Sequence, residues 1–389
     1  MESRREKMTK KFVLAPDSFK ESMSAKEACL AMEKGILAVF KDADIQHVPM
    51  ADGGEGTVDS LVDATGGTRV PVRVAGPLPD QIVETYYGLL GDQETVVIEM
   101  AKANGIELVK AAERNPLITS TYGTGEMIQH ALNHGAKKII IGIGGSVTND
   151  GGAGMIQALG ARLLDKEGQE LKRGGGALDK LAQIDLTQFD QRIFATEVLV
   201  ASDVNNPLTG PTGASHVFGP QKGATEEMVA QLDKNLAHYA AIIKREIGID
   251  IEMMPGAGAA GGLGAGLLAF TKAQLRPGID IVVEVNQLEE KIKAADYVFT
   301  GEGGMDFQTK FGKAPYGVSR LAKKYQKPVF ACAGYIGKDV DVLYEEGMTA
   351  IFGILAKAEP LEAALKNGPV NLERTVENIA RTLQLVPCD

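Results

Sequence analysis

The sequence predicts an α/β protein with a doubly wound parallel sheet built from both ends of the chain and a large α/β segment inserted between its halves. Three observations predict this. Short apolar runs alternate with helical periodicity at the start of the chain. The same alternation returns from about Leu288. Between them the pattern changes at residues 68–100 to period-two alternation with Pro and Gly breaks.

The elements follow in order. Phe12-Val13-Leu14-Ala15 reads as a buried strand opening into Pro16-Asp17-Ser18. Ser24 with Glu27 three residues on forms a capping box, and helical periodicity runs to about Phe40. A strand from Gln46 to Met50 leads to Asp52-Gly53-Gly54-Glu55-Gly56-Thr57, and a helix then runs to about Thr65 before Gly66-Gly67. Val70, Val72 and Val74 alternate as in a strand, as does Thr95 to Met100. A helix near 122–134 precedes Lys138 to Ile143, which ends in the glycine-rich stretch 144–154. The strand Val198 to Ala201, an amphipathic helix at about 225–246 and a second glycine cluster at 256–266 complete the insertion. Helix 288–294, strand Tyr297 to Thr300, helix 314–325, strands Pro328 to Ala331 and Ala350 to Ile354, and a helix from about 371 to 384 finish the chain. The expected organisation is a Rossmann-like domain from residues 1–67 and 288–389, with 68–287 as an inserted α/β domain.

The composition is that of an ordinary soluble globular protein, with 44% hydrophobic and 24% charged residues. A net charge of -10 argues against nucleic acid or an anionic membrane as partner. The absence of Trp and an aromatic content of 5% argue against base stacking as the main business. Three well-separated cysteines, Cys29, Cys332 and Cys388, show no metal spacing or disulfide framework and fit a reducing, cytoplasmic setting. No apolar run approaches a membrane span or a signal peptide, and Met8 offers an alternative start. Gly stands out at 46 of 389 residues, clustered between apolar runs where backbone turns tightly or approaches a ligand.

Five apolar runs end at an acidic residue in a polar, usually Gly-rich loop: Asp17, Asp52, Asp150, Asp203 and Glu302. In open parallel sheets the ligand crevice lies outside the carboxyl ends of the strands, so these acids suggest a site that holds cations or activates a hydroxyl. The stretch 142–154 reads as a phosphate loop, because loop glycines before a helix turn N–H groups toward an anion. The plainer reading of Asp150 is an N-cap. Lys20 is a cation for a substrate carboxylate or phosphate, or a solvated loop lysine. Asp52 and Glu55 are metal ligands, hydroxyl orienters, or first-turn acids complementing a helix dipole. Asp306 and Lys313 flank Gln308-Thr309 in an aperiodic loop. Gly256-Ala257-Gly258-Ala259-Ala260-Gly261 has the G-x-G-x-x-G spacing without a clear preceding strand, so close helix packing competes with phosphate binding there. A Walker A loop, the protein-kinase signatures and a G-x-S-x-G elbow are absent, and His130 with His134 lacks the rest of a zinc motif.

Taken together the loops resemble the type I glycerate kinase family. The matching stretches are Ala15 to Lys20, Ala51 to Thr57, Gly144 to Gly152, Val217 to Thr225, Pro255 to Gly266 and Gly301-Glu302-Gly303. The resemblance implies a two-domain α/β architecture with the active site in the cleft, and ATP-dependent phosphorylation of D-glycerate with Mg²⁺. For bacterial members of this type the product is usually 2-phosphoglycerate; the alternatives are 3-phosphoglycerate formation or a non-catalytic ligand-binding relative. On this reading Asp52, Asp306 and Lys20 are catalytic, and one of Asp52 or Asp306 accepts the hydroxyl proton. Asp17, Ser18, Gly53, Glu55, Gly144, Gly145, Ser146, Asn149 and Lys313 bind substrate or phosphate. Asp150, Asp203 and Glu302 take the metal. A homodimer is a further expectation. The family commonly has Arg after Gly-Glu-Gly, where this chain has Gly304; if that Arg contacts phosphate, either Lys310 or Lys313 compensates or activity is lower. A nicotinamide-dependent oxidoreductase is the rival reading, but the first strand leads into Pro16-Asp17-Ser18-Phe19-Lys20 in place of a glycine fingerprint.

Overall fold

The computed structural model describes residues 9–385, so Met8 and Cys388 lie outside the described residues. In chain order the strands are β1 (Lys11–Leu14), β2 (Asp44–His47), β3 (Thr68–Ala75), β4 (Ile82–Leu89), β5 (Thr95–Glu99), β6 (Lys138–Gly142), β7 (Arg162–Leu164), β8 (Gln183–Asp185), β9 (Glu197–Ala201), β10 (Gln274–Arg276), β11 (Tyr297–Met305), β12 (Val329–Ile336) and β13 (Ala350–Gly353). The chain forms two compact units. One comprises the chain up to Asp52, Asp59–Ala64, and the chain from Ile279 onward; the other comprises Gly53–Val58 and Thr65–Gly278.

The first unit holds a five-stranded sheet in the order β13-β12-β11-β1-β2, parallel throughout. Counted by order within this unit the arrangement is 2-1-3-4-5, a doubly wound topology whose direction of winding reverses between β1 and β11. Alternation of side chains places Phe12, Leu14, Phe299, Phe330 and Cys332 on one face, against the helices Ala25–Leu37 and Gly368–Gln384. Ala331 and Ala333 face the other way, toward Leu343 of the helix Val342–Glu345. The Phe12, Phe299 and Phe330 rings stack across three strands with centroids 6.2 and 5.4 Å apart, each pair adding about 0.5–1.5 kcal/mol beyond its buried area. Ser24 makes the expected capping box: its Oγ accepts from the Glu27 N–H at 3.2 Å and its own N–H donates to Glu27 Oε2 at 2.8 Å. Gly35 lets the two large helices of this face touch, since a Cβ there would lie 2.5 Å from the Glu373 carbonyl.

One boundary differs materially from the sequence reading. Residues 301–305 are expected as a loop after a strand ending at Thr300, whereas β11 continues through Gly-Glu-Gly-Gly to Met305. β12 supplies the reason: it runs on to Ile336, past the expected end at Ala331, and pairs with β11 as far as Met305↔Ile336. Glycine permits the close approach, since a Cβ at Gly301 would sit 2.3 Å from the Cys332 carbonyl.

The second unit holds a six-stranded mixed sheet in the order β10-β9-β6-β5-β4-β3. Its four strands β5, β6, β9 and β10 are parallel, while β3 and β4 add an antiparallel edge. The apolar runs of β5 and β6 are buried along nearly their whole length, as parallel strands covered on both faces require. β7 and β8 form a separate antiparallel pair that period-two reading did not single out. Register partners Glu99↔Gly142 and Gly142↔Ala201 bring the carboxyl ends of β5, β6 and β9 level. The loops after β6 and β9 therefore leave the sheet side by side.

Candidate active site

In the first unit the switch point between β1 and β11 carries Asp17 and Glu302. The Asp17 N–H donates to the Gly301 carbonyl at 2.8 Å, which fixes the turn after β1 against β11. Its Oδ1 accepts from the Ser18 N–H at 2.6 Å. Asp17 is half-buried, and its carboxyl is pushed up to about 7. Burial is the largest cause; the Asp52 and Glu302 carboxylates push the same way, while the Ser18 N–H and the exposed Lys20 oppose them. Glu302 is buried, and burial raises its carboxyl above the usual range against the pull of Lys313. Its Oε1 accepts from Thr309 Oγ1 at 2.9 Å and its Oε2 from Lys313 Nζ at 3.0 Å, while Lys313 also reaches the Gly304 carbonyl at 3.3 Å. This unit thus brings together Asp17, Ser18, Lys20, Asp52, Glu302 and Lys313. Asp306 has a different job: its Oδ1 accepts the Gln308 N–H at 2.8 Å and caps the 3-10 turn Phe307–Lys310.

In the second unit the loops 53–56, 143–149 and 202–206 meet at the carboxyl ends of β6 and β9. Gly53 has φ +91°, and a Cβ there would lie 2.9 Å from both Ala201 Cβ and Gly278 Cα. Glu55 is exposed. The N–H groups of Gly144 and Gly145 have no protein acceptor among the described residues, and both residues are exposed. Gly145 takes the left-handed conformation at φ +73°, which turns successive N–H groups toward a common point. Asp203 is exposed just beyond β9.

Asp150 requires a correction. The sequence reading gives it to the metal, but it is fully buried and both oxygens already accept protein donors. Oδ2 takes the Thr121 N–H at 2.8 Å, Thr121 Oγ1 at 2.9 Å and the Gly154 N–H at 3.2 Å; Oδ1 takes the Gly152 N–H at 3.2 Å. A metal would have to displace these bonds. Burial raises the carboxyl despite them. Its role is to tie the start of the helix Ala153–Ala158 to residue 121. Thr121→Val removes one donor to this buried acid and the acceptor of the Met155 N–H. We expect a loss of about 2–3 kcal/mol in urea unfolding. Asn149 is also buried, its Nδ2 donating to Ser215 Oγ at 2.8 Å.

The glycine cluster at 256–266 packs under this loop. A Cβ on Gly261 would lie 1.9 Å from the Thr148 carbonyl, and one on Gly266 2.8 Å from the Gly151 carbonyl. Sequence reasoning missed Lys222, Thr121 and Ser215 as members of this neighbourhood. Only Lys222 and Ser215 lie near a stretch that carries the resemblance, or within it, and nothing local marks Lys222 as buried. Among the described residues no three His, Cys, Asp or Glu side chains converge as a metal-holding group, and no helix is long and apolar enough to cross a membrane.

A carboxyl raised by burial among other acids and a loop with exposed amides, each at the carboxyl end of parallel strands, fit an α/β enzyme that handles an anionic substrate. The comparisons with known proteins make the assignment particular. The model of the glycerate kinase family matches residues 12–384, and the chain belongs to that family. It is 52% identical over 375 residues to the glycerate kinase of Bacillus subtilis (strain 168), covering 96% of this chain and 98% of the relative. It is 50% identical over 375 residues to the glycerate 2-kinase of Escherichia coli (strain K12), with the same coverage. A crystal structure assigned as glycerate kinase 2 from Salmonella typhimurium LT2 is similar with a TM-score of 0.89 at 50% identity, covering 97% of this chain and 98% of that one.

Proposed function

We propose that this protein phosphorylates D-glycerate from ATP and releases 2-phosphoglycerate. The observation that carries the reading is Asp17: a carboxyl held at about 7 by its surroundings is poised to exchange a proton with a hydroxyl at neutral pH. Asp17 is the proposed general base, and Asp52 keeps its proton affinity high. This moves the base from Asp52 or Asp306, because the Asp306 carboxylate is occupied in capping. Lys20, exposed beside Asp17, offers its ammonium to the substrate carboxylate, with Ser18 adjacent.

The chain has groups that fit a triphosphate and its Mg²⁺. The exposed N–H groups of Gly144 and Gly145 suit phosphate oxygens. Mg²⁺ keeps several waters and takes only one or two carboxylates alongside phosphates, so exposed Asp203 on the adjacent strand end suits it without a preformed acidic cluster. Glu302 is not kept as a ligand, because its two oxygens already accept from Thr309 and Lys313. When bound, the metal neutralises phosphate charge. The chain's own contribution is alignment, charge stabilisation and removal of one proton.

NMR identification of the product made from D-glycerate and ATP tests the reaction; a 3-phospho product or no turnover overturns it. The base assignment is tested by pH–rate profiles. Asp52→Asn removes a negative charge that raises Asp17, so the acid limb of kcat/KM should move to lower pH, whereas Asp306→Asn should keep near wild-type kcat. An unmoved limb in Asp52→Asn rules out Asp17 as the titrating group.

A further inference from the structure

Bonded to the loop that carries the exposed Gly144 and Gly145 amides is a buried lysine that no local sequence signal marks as buried. Lys222 is 1% exposed. Its Nζ donates to Ser146 Oγ at 2.7 Å and to the Thr148 carbonyl at 2.7 Å. It is held inside by a tight reversal: Pro220–Lys222 form a 3-10 turn, and Gly223 follows at φ +90° packed on the Arg114 backbone. Thr225 then caps the helix Glu226–Ile247. The loop is fixed from the other side by backbone bonds from Ile106 to the Gly145 carbonyl at 2.8 Å and from Val147 to the Asn104 carbonyl at 3.1 Å. Both hydrogen bonds of the Lys222 ammonium are therefore to the loop itself, and the side chain is shut off from solvent.

We propose that Lys222 is a positioning residue for the nucleotide phosphates: it holds the 144–148 loop in the conformation that leaves the Gly144 and Gly145 amides open, and adds positive potential behind them. The inference rests on the kinase reading and deepens it, since the anion it serves is the triphosphate. Two short bonds to oxygen acceptors suit an ammonium, and a charge in a water-excluded interior acts over a longer reach than one in solvent. Burial draws the ammonium down to about 7, with the Asp150 carboxylate opposing that fall. A buried Lys costs stability that a neutral side chain of similar length would not, so its presence beneath an anion loop calls for a functional account.

The test is charge-selective binding, measured by calorimetry on the full chain with ATP, adenosine and D-glycerate as separate probes. Lys222→Met should weaken ATP binding about 30-fold and change adenosine and D-glycerate affinity less than about 3-fold. Lys244→Met, on the exposed face of the helix Glu226–Ile247, should change none of them. Parallel loss for ATP and adenosine, or no loss for either, overturns the proposal. If Lys222→Met fails to fold, Ser146→Ala decides. It removes one of the two anchors and should weaken ATP about 3- to 10-fold with adenosine unaffected; unchanged ATP affinity overturns the proposal. Failure of the wild-type chain to bind ATP overturns both this inference and the kinase reading, whereas wild-type turnover with an unaffected Lys222→Met overturns this inference alone.

Discussion

Asp17→Asn is expected to lower kcat by about 10²- to 10⁴-fold while making the protein more stable at pH 8. Both effects come from the same environment. Burial and the Asp52 and Glu302 carboxylates raise the folded-state carboxyl from the ordinary 3.8 to about 7. Below about pH 4 the residue is protonated folded or unfolded, and Asn is a fair mimic of it. As pH rises through the interval to about 7 the unfolded chain releases this proton first, so the wild type loses stability that the Asn variant retains. The gap corresponds to at most about 4 kcal/mol, and partial solvent contact reduces it to about 1–2 kcal/mol. The Ser18 N–H can still donate to the Asn oxygen, so the turn survives. Thermal melts at pH 4 and pH 8, set beside kcat at pH 8, check the pair: a variant no more stable at pH 8 than at pH 4, relative to wild type, would falsify the raised carboxyl. Full activity would remove Asp17 from the chemistry.

The second large effect is structural. Gly261→Ala should destabilise the protein by about 3–4 kcal/mol, a sizeable part of the ~5–15 kcal/mol that holds a domain folded. Two costs combine. The residue sits at φ +69°, where an L side chain is strained, and its Cβ would stand 1.9 Å from the Thr148 carbonyl and 2.7 Å from Asn149 Cα. Both neighbours are backbone, so no rotamer change relieves the contact. Gly168→Ala is the control. Gly168 has a similar φ of +76° with nothing within 4 Å, and should cost only about 1–2 kcal/mol. Urea midpoints for the two variants separate conformational strain from crowding. Equal losses would show that Thr148 gives way.

These two residues also mark what the sequence made legible. Asp17 was visible because an apolar run ended on it, and the rule that parallel strands present ligands at their carboxyl ends needs no coordinates. The Ser24 capping box and the period-two run Val70, Val72, Val74 were local signals, and the elements formed where those signals lay. The fates of Asp150 and Lys222 were not local. An acid before glycines looks the same whether it faces a metal or four protein donors, and only Thr121, 29 residues away, decides between them. A Lys between Gln221 and Gly223 reads as solvated until the turn that buries it is formed. The extension of β11 was hidden for a related reason. Gly-Glu-Gly-Gly has little intrinsic strand preference, and its extended form is imposed by β12. The 256–266 cluster shows the converse: a spacing associated with nucleotides serves here to let two backbones touch.

The placement of β1 between β2 and β11 has a consequence for how the molecule is made. β1 is made long before its neighbour β11, and the bond from Thr300 Oγ1 to the Ala15 carbonyl spans 285 residues. For most of synthesis β1 and β2 have only each other, and a lone pair of strands is marginal in water. The strands of the six-stranded sheet all lie between β2 and β11 in the chain and can complete that sheet during this wait. β1 and β2 therefore remain exposed to mispairing until β11 emerges, and chaperone dependence should concentrate in that interval.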